Sequence, residues 1–259
     1  MNFNALRIMN TLGVVFMIGM NMLAVLLPLG GRTTGELSAL YPNLFVPAGF
    51  TFAIWSIIYA LLIIFVIYQS FGKNAKTNVE SLGFWFIANM VANGLWLTFW
   101  HYEFVFVSFF VMLVLLGSLI KMHGILKVNY FSGSSAPWQL TVPISVYLGW
   151  ISVATIANST VVFIYLGYTD LGLGADTWAA ILLSVAIALA LTMLYRFKDL
   201  FFAAVVIWAS FGIHSKRVAD TLALDASIQH TSYIGMYILS IAIVLSIVWG
   251  IVRRKQTIS

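Results

Sequence analysis

Cysteine is absent from all 259 residues, which excludes a disulfide framework, thiolate metal sites, iron–sulfur clusters and covalent haem attachment. Charge is nearly as scarce. Asp, Glu, Lys and Arg together make up 8% of the chain, against roughly a quarter in soluble domains. A water-soluble fold could not cover itself with so few charges, and with 62% hydrophobic residues the chain reads as an integral membrane protein. The net charge of +5 does not indicate a nucleic-acid partner, because the basic residues are scattered through short loops and form no patch. Also lacking are a nucleophile elbow, a glycine-rich phosphate loop, paired catalytic carboxylates and histidines spaced as metal ligands on one helix face. The residues call for no cofactor and no metal, and no enzyme is expected.

What is present is a series of long apolar runs. Segments able to cross a hydrocarbon core of about 30 Å lie at approximately residues 8–29, 48–70, 82–101, 103–127, 139–166, 177–195, 200–214 and 231–252. This predicts an all-α multi-pass protein of eight spans. With the N-terminus in the cytoplasm, Arg7, Lys73, Lys76, Lys121, Lys127, Arg196, Lys198, Arg253, Arg254 and Lys255 fall inside, and only Arg32, Lys216 and Arg217 fall outside. That bias places both termini in the cytoplasm. The seventh segment is the shortest and admits a re-entrant reading, but omitting it moves the Arg253 to Lys255 cluster outside. The first segment is too long for a signal-peptide core and is interrupted by Asn10 and Asn21, so it reads as a retained helix. The longest loops, 30–46 and 215–230, leave no room for a soluble domain, and SGSS at Ser132 and GADTW at Gly174 read as turns.

Three spans carry rings and amides along one stripe: Trp55 and Tyr59; Asn89, Asn93, Trp96 and Trp100; Tyr147, Trp150 and Asn158. Spacings of three, four, seven and eleven project from one side of a helix, so the sets predict an aromatic-walled pocket for a large planar guest. An amide in hydrocarbon must find a partner, since leaving it unsatisfied costs several kcal/mol. The alternative reading of each Asn is as interhelical glue, beside contact points at Gly13, Gly19, Gly94, Gly149, Ala154 and Ala157. Trp138 and Trp178, at segment ends, fit an interfacial belt. His101, His123, His214 and His230 sit at or near helix ends and read as solvated. Away from their ends the spans hold no ionisable residue for a coupling ion, which disfavours a proton-driven carrier.

The stretches PAGFTFAIWSIIY from Pro47, NGLWLTFW from Asn93 and YLGWISVATIAN from Tyr147 resemble the TspO/MBR family of tryptophan-rich sensory proteins, relatives of the mitochondrial translocator protein. The resemblance implies a five-helix membrane bundle over residues 1–166, followed by a C-terminal membrane extension of about three helices over 167–259. It implies a ligand site built from Pro47, Trp55, Tyr59, Asn93, Trp96, Tyr147, Trp150 and Asn158, for a tetrapyrrole such as protoporphyrin IX or haem. The implied setting is a bacterial cell membrane, with a homodimer allowed. This chain departs from the family pattern at Val46 and Val146, where prolines are usual, and has no Trp in the 30–46 loop. No Tyr-plus-basic pattern follows Asn158, so sterol binding of the mitochondrial kind is not supported. The expectation is therefore a membrane receptor or carrier for a porphyrin, with Arg32 as a partner for ligand carboxylates. A secondary permease and a photo-oxidative porphyrin-modifying enzyme are the competing readings.

Overall fold

The computed structural model describes residues 2–27, 29–128, 136–220 and 226–258, with side chains as far as residue 252. The SGSS turn and the side chains of the Arg253 to Lys255 cluster lie outside the described residues. The described residues form ten helices: α1 (Phe3–Leu26), α2 (Thr34–Ala39), α3 (Ile54–Phe71), α4 (Ala75–Leu82), α5 (Trp85–His101), α6 (Val105–Ile125), α7 (Trp138–Tyr165), α8 (Ala175–Phe197), α9 (Leu200–Ala219) and α10 (Ala226–Ile258). Short 3-10 turns at Leu29–Gly31 and Gly49–Ala53 flank the lid region that contains α2.

Among the described residues, six helices are long and apolar enough to cross a membrane: α1, α3 with its leading turn, α6, α7, α8 and α10. The pair α4 and α5, bent by 57°, makes a seventh if counted as one broken span. The chain is thus a multi-pass all-α membrane protein. The break falls at Gly83, whose φ of 55° favours a residue without Cβ. The expected seventh span corresponds to α9, which is 20 residues long but ends on His214, Ser215, Lys216 and Arg217. Those polar residues lower its hydropathy, so eight helices stand where eight spans were expected but only six qualify singly.

Helix α7 is the axis of the bundle. Every residue from Leu140 to Val153 is buried, as an all-round apolar helix requires. Helix α9 closes onto it at Gly149, where an added Cβ would lie 3.0 Å from Val205 Cβ and 3.3 Å from the Phe202 carbonyl. The same helix reaches the turn before α3: Ala48 N donates to Gly212 O at 3.0 Å and Trp208 Nε1 donates to Thr51 O at 2.9 Å. The C-terminal helices therefore hold the segment that delivers Phe52 and Trp55 to the interior.

Polar pins fix the remaining contacts, as expected where lipid offers helices no hydrophobic drive to associate. Asn10 Nδ2 donates to Gln69 Oε1 at 3.1 Å, joining α1 to α3. Asn89 Nδ2 donates to Ser118 Oγ at 2.7 Å, joining α5 to α6. His123 Nε2 lies 2.9 Å from Asp199 Oδ2 with both residues buried, while Asp199 Oδ1 caps α9 by accepting from Phe202 N at 3.0 Å. The solvated reading of the histidines is thus corrected for His123 and His101, both buried. A helix end in sequence is not a membrane surface when a loop folds over it. Of the small residues expected at contacts, Gly13, Gly94 and Gly149 meet neighbouring helices, whereas Gly19 faces open space.

At Gly212 a Cβ would run into the fully buried Thr51. Gly212→Val should destabilise the protein by about 1–3 kcal/mol, the usual cost of overpacking, read as a lower thermal midpoint in detergent. An unchanged midpoint would mean that α9 does not sit against the turn before α3.

Candidate ligand-binding site

Trp55 on α3, Trp96 and Trp100 on α5, and Trp150 on α7 surround one inner chamber, closed by Phe45, Val46, Pro47 and Phe52 and edged by Ala154, Ala157 and Asn158. Ala154 and Ala157 thus line the chamber. The rings are packed against one another. Trp150 meets Phe52 and Trp55 edge-on, with centroids at 5.9 and 6.4 Å, and Trp96 and Trp100 lie nearly parallel at 6.4 Å. The inner chamber holds only about 60 Å³. It shares Thr34, Phe52, Trp55 and Trp96 with an outer groove of about 570 Å³ between α1 and α3, lined also by Asn21, Met22, Val25, Ser56 and Tyr59. Met22 and Val25 are more than half exposed, so the groove opens toward the side of the bundle.

Three polar atoms of the inner chamber's lining residues are buried and have no partner among the described residues: Asn158 Oδ1, Trp96 Nε1 and Trp100 Nε1. A buried unsatisfied donor or acceptor costs about 1–3 kcal/mol, and clusters of them are rare in native proteins. One acceptor and two indole donors in the lining of an aromatic chamber are suited to an amphipathic guest.

Asn93 and Tyr147 are placed behind the chamber, lining neither cavity. Asn93 Oδ1 accepts from Asn21 Nδ2 at 2.8 Å, Asn93 Nδ2 donates to Tyr147 Oη at 2.7 Å, and Asn21 Nδ2 also donates to Met17 O at 2.8 Å. This relay ties α1, α5 and α7 together. Tyr59 lines the outer groove and stacks on Trp55 at 5.8 Å. Pro47, Trp55, Trp96, Trp150 and Asn158 are brought to the inner chamber.

The lid is built from local signals. Thr33 and Glu36 form a capping box at the start of α2: Glu36 N donates to Thr33 Oγ1 at 3.3 Å and Thr33 N donates to Glu36 Oε2 at 2.7 Å. The carboxylate accepts from Thr33 N and also from Thr33 Oγ1 at 2.9 Å, and these two bonds, the backbone one first, hold the Glu36 carboxyl below its ordinary pKa. The cap is accordingly kept above the carboxylate range and lost as pH falls through that lowered value. His101 Nδ1 lies 2.8 Å from Leu29 O, which can only accept, so that nitrogen carries the proton. In the neutral ring Nε2 then accepts from Thr34 Oγ1 at 3.0 Å, fastening the lid to the end of α5. Tyr41 covers Trp100 with centroids at 6.1 Å. Arg32 pairs with Glu103 at 3.1 Å on the exposed rim.

Sequence reasoning did not single out Asn21, Thr34, Ser38, Phe45 or Phe52 for the site. A readable signal existed for two: Asn21 is an amide in an apolar run, and TTGE at Thr33 has the capping-box spacing that starts the lid helix bearing Thr34.

A family model described as TSPO-like protein matches residues 7–245. The match runs through nine helices and into α10, past residue 166, where the likeness of the quoted motifs ends. No curated protein and no solved structure matches the chain.

The two interior amides should separate in a stability measurement. Asn93→Leu strands the partners Asn21 and Tyr147 and should cost about 1–3 kcal/mol. Asn158→Leu removes an unpartnered oxygen and should leave the thermal midpoint unchanged or raised. The reverse order would make Asn158 the helix glue.

Proposed function

We propose, from its membership of the TSPO-like family, that the chain is a membrane receptor or carrier binding a planar hydrophobic ligand, a porphyrin, at the aromatic chamber. The observation that carries this reading is the coincidence of four tryptophans with three unpartnered polar atoms in one lining. Small-molecule sites combine mostly apolar walls with a few convergent polar groups in about 300–1,000 Å³. The inner chamber is too small for a tetrapyrrole and the outer groove is not. The macrocycle accordingly lies across both, its body in the groove and one edge entering the chamber past Trp55 and Trp96, the tryptophans common to both, toward Trp150 and Asn158. Its approach is lateral, past the exposed Met22 and Val25 of α1. The lining groups are neutral hydrogen-bonding atoms and ring faces, which hold and orient a ligand. Asn93, engaged behind the wall, positions α5 and does not touch the ligand. Ligand flux into sealed vesicles separates carrier from receptor.

Protoporphyrin IX should quench tryptophan fluorescence saturably. Trp150→Ala removes a wall and should weaken binding by about 3 kcal/mol, roughly a hundredfold. Asn158→Ala should weaken it by about 0.5–1.5 kcal/mol, the net worth of one hydrogen bond. Absence of saturable quenching by wild type, or equal affinity in all three proteins, would remove the chamber as the porphyrin site.

A further inference from the structure

A third cavity of about 300 Å³ lies between the lid and the C-terminal helices, lined on one side by Ser38, Tyr41 and Asn43 and on the other by Lys216, Arg217 and Asp220. It abuts the aromatic chamber, because Ser38 and Val46 line both. Its charges are unequally matched. Arg217 Nη2 pairs with Asp220 Oδ2 at 2.9 Å, whereas Lys216 makes no ion pair among the described residues. Burial, and then the neighbouring charge of Arg217, push the Lys216 ammonium below its ordinary pKa. A partly desolvated cation beside another cation is held at a cost that a bound anion offsets. Arg32 is differently placed, since it already has Glu103 and is about half exposed. An exposed pair of that kind contributes little.

We infer that Lys216 holds the carboxylate of an amphipathic ligand whose flat apolar part lies against the aromatic chamber. The ligand class is then a planar hydrophobic carboxylic acid, and its counter-charge comes from the C-terminal helices and not from Arg32. The inference rests on the binding function proposed above and adds the anionic end of the ligand to it. It also gives the C-terminal helices a direct part in recognition, beyond bracing the turn before α3. Charge pairing with a partly buried partner resists screening by salt better than an exposed pair does.

The test uses the full chain in phosphatidylcholine nanodiscs, with partition into protein-free discs subtracted. Two acid and ester pairs serve as probes: 1-pyrenebutyrate with its methyl ester, and protoporphyrin IX with its dimethyl ester. Wild type should bind each acid at least tenfold more tightly than its ester. Lys216→Met should abolish that preference by weakening the acids while ester affinity stays within twofold, which also reports an intact fold. Lys216→Arg and Arg32→Met should keep the preference. Retention of the preference in Lys216→Met, or its absence in wild type, overturns the carboxylate site. Acid preference with the pyrenes but no binding of either porphyrin supports the carboxylate site and overturns the porphyrin reading. Equal binding of porphyrin diacid and ester by wild type does the reverse, and failure of all four probes to bind overturns both.

Discussion

The relay from Asn21 through Asn93 to Tyr147 is the constraint on which the rest of the interior depends. Lipid tails are as apolar as leucine, so helices in a bilayer gain little from burying apolar faces against each other and rely on close packing and hydrogen bonds. An unpaired amide there costs several kcal/mol, so the relay strongly favours one mutual placement of α1, α5 and α7. That placement brings Trp96 and Trp150 to one chamber, which Trp55 and Phe52 also line. The same rule makes the unpartnered oxygen of Asn158 informative. Oδ1 of Asn10 and Oδ1 of Asn89 are unpartnered as well, but those amides hold a neighbouring helix through Nδ2, whereas Asn158 makes no bond across helices among the described residues and lines the chamber, where its amide is available to a ligand.

The chamber's closure depends on two structures outside the helices that carry most of its rings. One is the lid, a short capped helix fastened through Thr34 and His101. The other is α9, which holds the turn before α3 by bonds to Ala48 and Thr51. The residues after 166 are thus continuous with the site mechanically, in keeping with a family match that extends to residue 245. Because α9 passes behind α7 at Gly149 and touches the turn at Gly212, its displacement would move both Trp150 and Phe52.

Much of this was legible in the chain. Apolar run length located the eight long helices, and the ring spacing on three of them picked out Trp55, Trp96 and Trp150, which converge as a periodic stripe should. Periodicity fixes the side of a helix but not the neighbour on that side. Asn93 and Asn158 look alike in sequence, yet one faces Asn21 and the other the chamber. The partners Gln69 and Asp199 were not singled out because a polar residue announces that it needs a partner without naming it. His101 and His123 were read as solvated because helix ends were equated with the membrane surface, whereas Leu29 and Asp199 cover them. The lid residues carry no periodic pattern, and only the Thr33 and Glu36 spacing hinted at order there. The hydropathy of α9 was diluted by its basic last turn, and that turn lines the cavity that adjoins the chamber.

The central claim is that the tryptophan chamber receives a ligand and is not merely a packed core. The most direct measurement is the indole N–H spectrum of protein labelled with 15N-tryptophan, with Trp96, Trp100, Trp138 and Trp178 assigned by single Phe substitutions. Trp96 and Trp100 have unpartnered indole nitrogens, and Trp138 is largely exposed. On saturation with protoporphyrin IX the Trp96 and Trp100 resonances should shift strongly through new hydrogen bonds and the porphyrin ring current, with Trp138 and Trp178 unchanged. Movement of Trp138 and Trp178 alone, with Trp96 and Trp100 fixed, would place the porphyrin at the membrane interface and contradict a ligand chamber.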